Sequence, residues 1–251
     1  MNDLKGKAVL ITGASTGIGA GCARALGALG ARVAVHYNSS RSAADEVVAD
    51  IVKSGGDAFA LQGDLRQSAH CERVVTEAAT RWGRLDVLIN NAGSMVPRVP
   101  VTEITDELFD EIINLNVRST LMCTKHAVGH MKDGGSIINL TSVAARTGGG
   151  PGAMLYAGSK GYISVATKAM ARELVSRNIR VNAVAPGVIQ TPLHDKFSTP
   201  QQLEALRQGI PMGRVGTVDE CVGAFIYLAS AQLSSYVTGQ VIEVNGGQFM
   251  P

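Results

Sequence analysis

The chain has 251 residues, 45% of them hydrophobic and 18% charged, and its 23 basic and 21 acidic residues leave a formal net charge of +2. That apolar content excludes a disordered chain, and without a Lys/Arg-rich run there is no basis for a nucleic-acid or anionic-membrane surface. No apolar stretch is long enough to span a bilayer, the run before Thr12 is too short for a signal-peptide core, and Cys22, Cys71, Cys123 and Cys221 form no C-x-x-C pair, so a cytoplasmic protein without disulfide framework or metal site is expected.

In chain order, strands are predicted over 8–12, 32–37, 58–62, 87–90, 136–140, 180–185 and 241–244. Helices are predicted over 18–29, 42–54, 69–81, 106–132, 154–176 and 218–229. This alternation implies βαβ units with a parallel sheet. Several strands are apolar at consecutive positions, as in Ala8-Val9-Leu10-Ile11, which fits a sheet covered by helices on both faces. Nothing marks a second domain, and residues 187–210 are expected to form a lid loop within a single domain spanning 1–251.

Glycine, at 29 residues, is the compositional outlier, and it falls where strands end. After the first strand comes Thr12-Gly13-Ala14-Ser15-Thr16-Gly17-Ile18-Gly19, leading straight into a helix. Glycines there let backbone N–H groups and the positive helix end approach a diphosphate. The spacing is G-x-x-x-G-x-G rather than G-x-G-x-x-G, so on its own it is equally compatible with an ordinary βα turn. The other strands run into Gly63-Asp64-Leu65, Asn90-Asn91-Ala92-Gly93, Thr141-Ser142 and Pro186-Gly187. All of these belong to one edge of a doubly wound sheet, where a single crevice would collect them.

Tyr156 and Lys160 are four residues apart at the start of a helix and therefore share a face. Bringing a free tyrosine from a pKa near 10 to near 7 takes about 4 kcal/mol. An ammonium 4–5 Å away supplies roughly 3–4 kcal/mol at an effective dielectric near 20. A tyrosine acid/base working at neutral pH is thus expected, with Ser142 hydrogen-bonding the same substrate oxygen.

Taken together, Thr12 to Gly19, Asn90 to Gly93, Asn116, Ser142, Tyr156/Lys160 and Pro186-Gly187 resemble, in order and spacing, the short-chain dehydrogenase/reductase family, over essentially the whole chain. The resemblance is nearest to its 3-oxoacyl-carrier-protein reductase and glucose dehydrogenase branch. It implies a Rossmann-like domain with a seven-stranded sheet, a homotetramer, and hydride transfer between NAD(P) and a ketone/secondary alcohol pair. By the same resemblance Tyr156 is the general acid/base, Ser142 orients the carbonyl, and Lys160 lowers the tyrosine pKa and holds the nicotinamide ribose. Asn116 would hold a relay water, with Asn114 its competitor. The family's usual Asp-Gly-Gly near the C-terminus is here Asn245-Gly246-Gly247.

The cofactor is expected to touch Gly13, Ser15, Thr16, Gly17, Ile18, Gly19, Tyr37, Asn38, Ser39, Arg41, Asp64 and Leu65. Asn91, Ala92, Gly93, Tyr156, Lys160, Pro186, Gly187, Ile189 and Thr191 would complete its contacts. The second strand ends at Tyr37 without a carboxylate, and Arg41 with Asn38 and Ser39 suits a 2′-phosphate, so NADP(H) is favoured over NAD(H). Two readings pull the other way: Arg41 as a solvated first-turn residue, and Thr16 where NADPH-using relatives often carry a basic residue. Substrate contacts are expected from Ser94, Ser142, Val143, Tyr156, His194 and Phe197, with an apolar cast from Ile189, Leu193, Met154 and Met212. Arg172 and Arg177 are candidates for carrier-protein recognition beside the mouth, and His126/His130 for a surface or interface pair. The competing reading is a catalytically silent nucleotide-binding scaffold or sensor.

Overall fold

A computed structural model of the chain describes residues 2–95, 97–191 and 200–251. Seven strands, β1 (Ala8–Ile11), β2 (Arg32–Tyr37), β3 (Asp57–Gln62), β4 (Leu85–Asn90), β5 (Met131–Leu140), β6 (Arg180–Pro186) and β7 (Val241–Val244), form one sheet in the order β3-β2-β1-β4-β5-β6-β7. Every pairing is parallel. β1 pairs with both β2 and β4, so the chain changes direction of travel there and opens a crevice at the carboxyl ends of these strands.

Helices α1 (Gly17–Ala28), α2 (Arg41–Lys53), α3 (Ser68–Trp82), α4 (Asp106–Ile112), α5 (Ser119–His130), α6 (Ala144–Thr147), α7 (Met154–Leu174), α8 (Pro200–Gln208), α9 (Val218–Ala229) and α10 (Ala231–Ser234) complete the described fold. The consecutive apolar residues of β1 divide between two cores. Val9 and Ile11 pack with Leu26, Ile51 and Phe225 from α1, α2 and α9, whereas Leu10 packs with Val74, Cys123 and Ala171 from α3, α5 and α7. Side chains alternate across a strand, so continuous hydrophobicity is what a sheet buried on both faces requires.

Two elements depart from the sequence reading. The helix predicted over 106–132 ends at His130, because Met131 pairs with Leu85 at the start of β5. It is also interrupted by a π-helical turn, Ile113–Arg118, centred on the buried Asn116. The lid predicted as a loop over 187–210 contains α8, whose first residue is a proline, an N1 position that needs no intrahelical N–H donor.

Candidate active site

At the end of β1, Gly13 and Gly17 adopt φ +62° and +56°, a region that only glycine occupies without strain. A Cβ on Gly19 would lie 2.5 Å from the Gly13 oxygen and from Asn91 Nδ2. Asn91 Nδ2 in turn donates to the Thr12 and Gly13 carbonyls at 2.9 and 2.8 Å, and Thr12 Oγ1 accepts from the Asn91 and Ala92 N–H groups. Asn91 therefore meets the turn itself. The first turn of α1 has no acidic residue and its N-cap Thr16 makes no side-chain cap bond, so its N–H groups face the crevice with the helix's positive end. This cradle fits a dinucleotide diphosphate. Thr191 stands over it, its Cγ2 3.5 Å from a Cβ placed on Gly17. Ser15 and Thr16 also line an outer cavity with Arg24 and Asp219.

The catalytic candidates converge from β5, α7 and the π turn. Ser142 follows β5 and lines a cavity of about 360 Å³ together with Tyr156 from α7. Lys160 is buried one turn further on; its Nζ donates to the Leu140 carbonyl at 2.8 Å and lies 5.9 Å from the Tyr156 ring centroid. A Cβ on Gly93 would come within 3.3 Å of that Nζ and 3.0 Å of Asn116 Oδ1, so a larger residue after Ala92 would crowd both side chains. Asn116 accepts the Ser94 N–H at 3.0 Å and donates to the Ser94 carbonyl and to Ser159 Oγ, and Ser159 donates to the Tyr156 carbonyl at 2.7 Å. Asn116 thus ties the β4 turn to α7, while Asn114 accepts from Arg118 on an exposed helix turn. The π turn is what points this amide inward.

Electrostatically the site differs from expectation. Burial pushes the Tyr156 phenol above its ordinary pKa, and the Ser142 hydroxyl opposes that rise. Lys160 does not draw it down here: burial brings the ammonium itself to about 8, and it is spent on the Leu140 carbonyl. The positive charge of an oxidised nicotinamide beside the phenol would lower its pKa.

At the far end of the crevice, Tyr37 is buried and its carbonyl accepts the Gly63 N–H, while Asn38 and Ser39 are exposed. Arg41 is exposed and pairs with Asp45 at 3.4 Å. Asp64 is held by Arg66, which keeps its carboxyl below the usual range, and Leu65 is buried in the core. Ile18, Val143, Pro186, Gly187, Ile189 and Thr191 line the central cavity. Ser94, after the β4 turn, is bonded to Asn116 instead. His194, Leu193 and Phe197 lie outside the described residues.

Several expectations are corrected. Met154 is exposed and Met212 lines a separate cavity, whereas Ile189 does line the central one, with Met95, Val188 and Leu206. Arg172 is sixteen residues beyond Tyr156 on α7, about 24 Å at 1.5 Å per residue, so it sits away from the mouth. Arg177 follows α7 and donates to the Val128 and Met131 carbonyls. Asn245 finds a structural role: it accepts the Gly247 N–H and donates to Glu243 and to the Phe249 carbonyl, which an aspartate could not do.

Sequence reasoning missed His36, whose Nδ1 accepts the Gly13 N–H, and Arg98, which lines the cavity. Neither sits in a local motif. The polar residue inside an otherwise apolar strand was the available signal for His36.

The family described as enoyl-(acyl carrier protein) reductase matches residues 13–248. A 3-oxoacyl-[acyl-carrier-protein] reductase of Synechocystis is 37% identical over the full length of both chains. Among solved structures, an NADH-dependent reductase responsible for alginate metabolism is 36% identical, with a TM-score of 0.91 over all of both chains. A Burkholderia cenocepacia short-chain dehydrogenase in complex with NADP is 32% identical, with a TM-score of 0.93 over 98% of this chain and 99% of that one. With similarity spanning the sheet, the glycine turn and the Tyr156/Lys160 helix alike, the chain belongs to the short-chain dehydrogenase/reductase family and is an NAD(P)-dependent oxidoreductase.

Proposed function

We propose that this chain reduces a ketone to a secondary alcohol, or runs the reverse, with Tyr156 as the general acid/base and NADP(H) as the favoured cofactor. The observation that carries the assignment of roles is the convergence of Ser142 and Tyr156 on one cavity, with Lys160 one turn behind. When bound, the nicotinamide exchanges a hydride with the carbonyl carbon. Tyr156 Oη gives its proton to the carbonyl oxygen, so the ketone gains two electrons and two hydrogens overall. Ser142 orients that oxygen by hydrogen bonding. Lys160 holds positive charge near the phenol and would be the residue to hold the nicotinamide ribose, and Asn116 fixes the β4 turn against α7. The apolar wall of the cavity excludes water from the reacting atoms.

The preference for NADP(H) rests on Tyr37, Asn38 and Ser39 standing where a ribose-binding carboxylate would repel a 2′-phosphate, and on the exposed Arg41 beside them. The Burkholderia relative's NADP favours this reading, and the relative described as NADH-dependent is the counter-case. Initial rates with NADPH and NADH on one ketone panel decide it. An NADH-only enzyme would remove Arg41 from the cofactor site.

Tyr156→Phe tests the chemistry. It should abolish turnover and leave cofactor affinity within a few-fold, whereas unchanged turnover would sink the assignment.

A single domain assembled as a homotetramer completes the reading. Two separate exposed apolar sets support it: Phe109, Leu121, Tyr162 and Val165 on α4, α5 and α7, and Leu233, Tyr236 and Met250 near the C-terminus. Two such faces, each pairing about a two-fold axis, would make a dimer of dimers. Light scattering should report four times the 26.2 kDa chain mass. No helix among the described residues is long and apolar enough to cross a membrane, and Cys71 and Cys123 lie side by side as free thiols, which suits a reducing cytoplasm.

A further inference from the structure

The substrate cavity contains a cation that proton transfer at Tyr156 does not use. Arg98, in the segment between β4 and α4, lines the cavity with Ser142 and Tyr156. Its Nη1 stands 3.2 Å from where a Cβ on Gly150 would be, and a Cβ on Gly152 would come within 3.0 Å of Arg98 Cβ. The Val99 N–H donates to the Gly152 carbonyl at 3.3 Å, fastening the Arg98 segment to this glycine loop. The glycines before α7 thus leave a slot that the arginine side chain occupies.

Among the described residues no carboxylate pairs with Arg98, whereas Arg146, which does not line the cavity, is matched by Glu243 at 2.9 Å. Arg98 Nε is buried without a hydrogen-bond partner, and so is Oε1 of Gln248, which lines the same cavity. Buried polar groups are ordinarily satisfied, because leaving one unpaired costs its desolvation. Arg98 and Gln248 thus bring to one cavity a charged donor and an acceptor that no protein group satisfies.

We propose that the substrate is a carboxylated ketone, or the hydroxy acid it becomes, with the carboxylate bound by Arg98. This rests on the ketone/alcohol reading above. The planar guanidinium matches a carboxylate through two parallel N–H bonds, and the cavity's low polarity strengthens the pair relative to water. The carboxylate itself is unchanged by the reaction; it anchors the chain so that the ketone lies at Tyr156.

The test is binding of 3-oxobutanoate, 4-oxopentanoate and 5-oxohexanoate, each against its methyl ester, by calorimetry in saturating NADP⁺, where no ketone can be reduced. At one chain length or more the acid should bind at least tenfold more tightly than its ester. Arg98→Gln should weaken the acid by roughly 10- to 100-fold, the worth of a charged hydrogen-bonded pair, and the ester by less than threefold. Gly150→Asp, which leaves Arg98 in place and supplies a carboxylate beside Nη1, should also remove the acid's advantage, and it keeps the test decisive if Arg98→Gln misfolds. Equal binding of acid and ester at all three lengths overturns the proposal, as does equal weakening of both by Arg98→Gln. Arg98-dependent binding without NADPH or NADH oxidation on any of the six ketones would leave this site standing and sink the reductase reading instead.

Discussion

The Gly13 N–H donates to Nδ1 of His36 at 2.9 Å, so the first glycine of the cofactor turn is held by a side chain from the next strand. Because Nδ1 accepts, the ring proton is on Nε2, which donates to the Gly63 carbonyl at 2.9 Å. One neutral imidazole therefore joins the turns after β1 and β3, and a charged one would set two N–H groups against each other.

This sets a pH dependence. Burial lowers His36 from 6.5 to about 4, so the unfolded chain takes up the proton first. The stabilisation is complete above pH 6.5 and is lost progressively down to pH 4, by about 3 kcal/mol in all. Urea midpoints between pH 7 and 4 should fall less steeply for His36→Asn than for the natural chain. Identical slopes would mean that His36 is not the titrating group.

Lys160 works in the same sense at higher pH, as a second group whose charge burial disfavours. With its pKa lowered to about 8 by burial, folding favours the neutral amine, and stability should rise as pH passes from 8 toward 10.5. Lys160→Met should raise the unfolding free energy at pH 7 by about 1–2 kcal/mol after the bond to Leu140 is lost, while eliminating turnover. A variant less stable than the parent would show that the ammonium is better solvated than its burial implies.

The glycine turn separates backbone need from composition. Gly19→Ala should destabilise by about 1–3 kcal/mol and abolish cofactor binding, since its Cβ meets backbone at 2.5 Å. Gly223→Ala, in α9 with nothing within 4 Å, should instead stabilise by up to about 1 kcal/mol. Thermal melts with and without cofactor distinguish the two. Equal effects would mean the turn can relax around a methyl group.

Asn245 and Glu243 form the last test. Asn245→Asp places a second carboxylate against Glu243, where Nδ2 now donates at 3.2 Å. The expected loss is about 1 kcal/mol at pH 7. Glu243→Gln added to it should recover most of the loss. A double variant no better than the single one would show that repulsion between the two is not the cause.

The sheet was legible because β-branched runs on a doubly covered strand leave a continuous apolar signature, as at Val9, Leu10 and Ile11. Tyr156 and Lys160 were legible because helical spacing fixes their shared face. The π turn was not, since 106–130 keeps helical periodicity and the inserted residue shows only in the bonds of Asn116 to Ser94 and Ser159. Arg98 and Gln248 are 150 positions apart in the chain, so their common cavity exists only after folding. Spacing predicts the proximity of Tyr156 and Lys160, whereas the burial that raises the one and lowers the other exists only after folding.

The C-terminal tail reaches the reaction cavity. Gln248 lines it, the Phe249 carbonyl is held by Asn245, and the Phe249 ring lies 5.7 Å from the Arg146 guanidinium. At the other end of the chain, Asp3 is bound to Ser230 and to the Gln232 N–H, outside that cavity. An affinity tag belongs at the N-terminus, because one appended after Pro251 would be tethered three residues from a side chain that lines the cavity. By the same logic, exchanging the last few residues between relatives is a direct way to retune which ketones are accepted without touching the residues that move the proton.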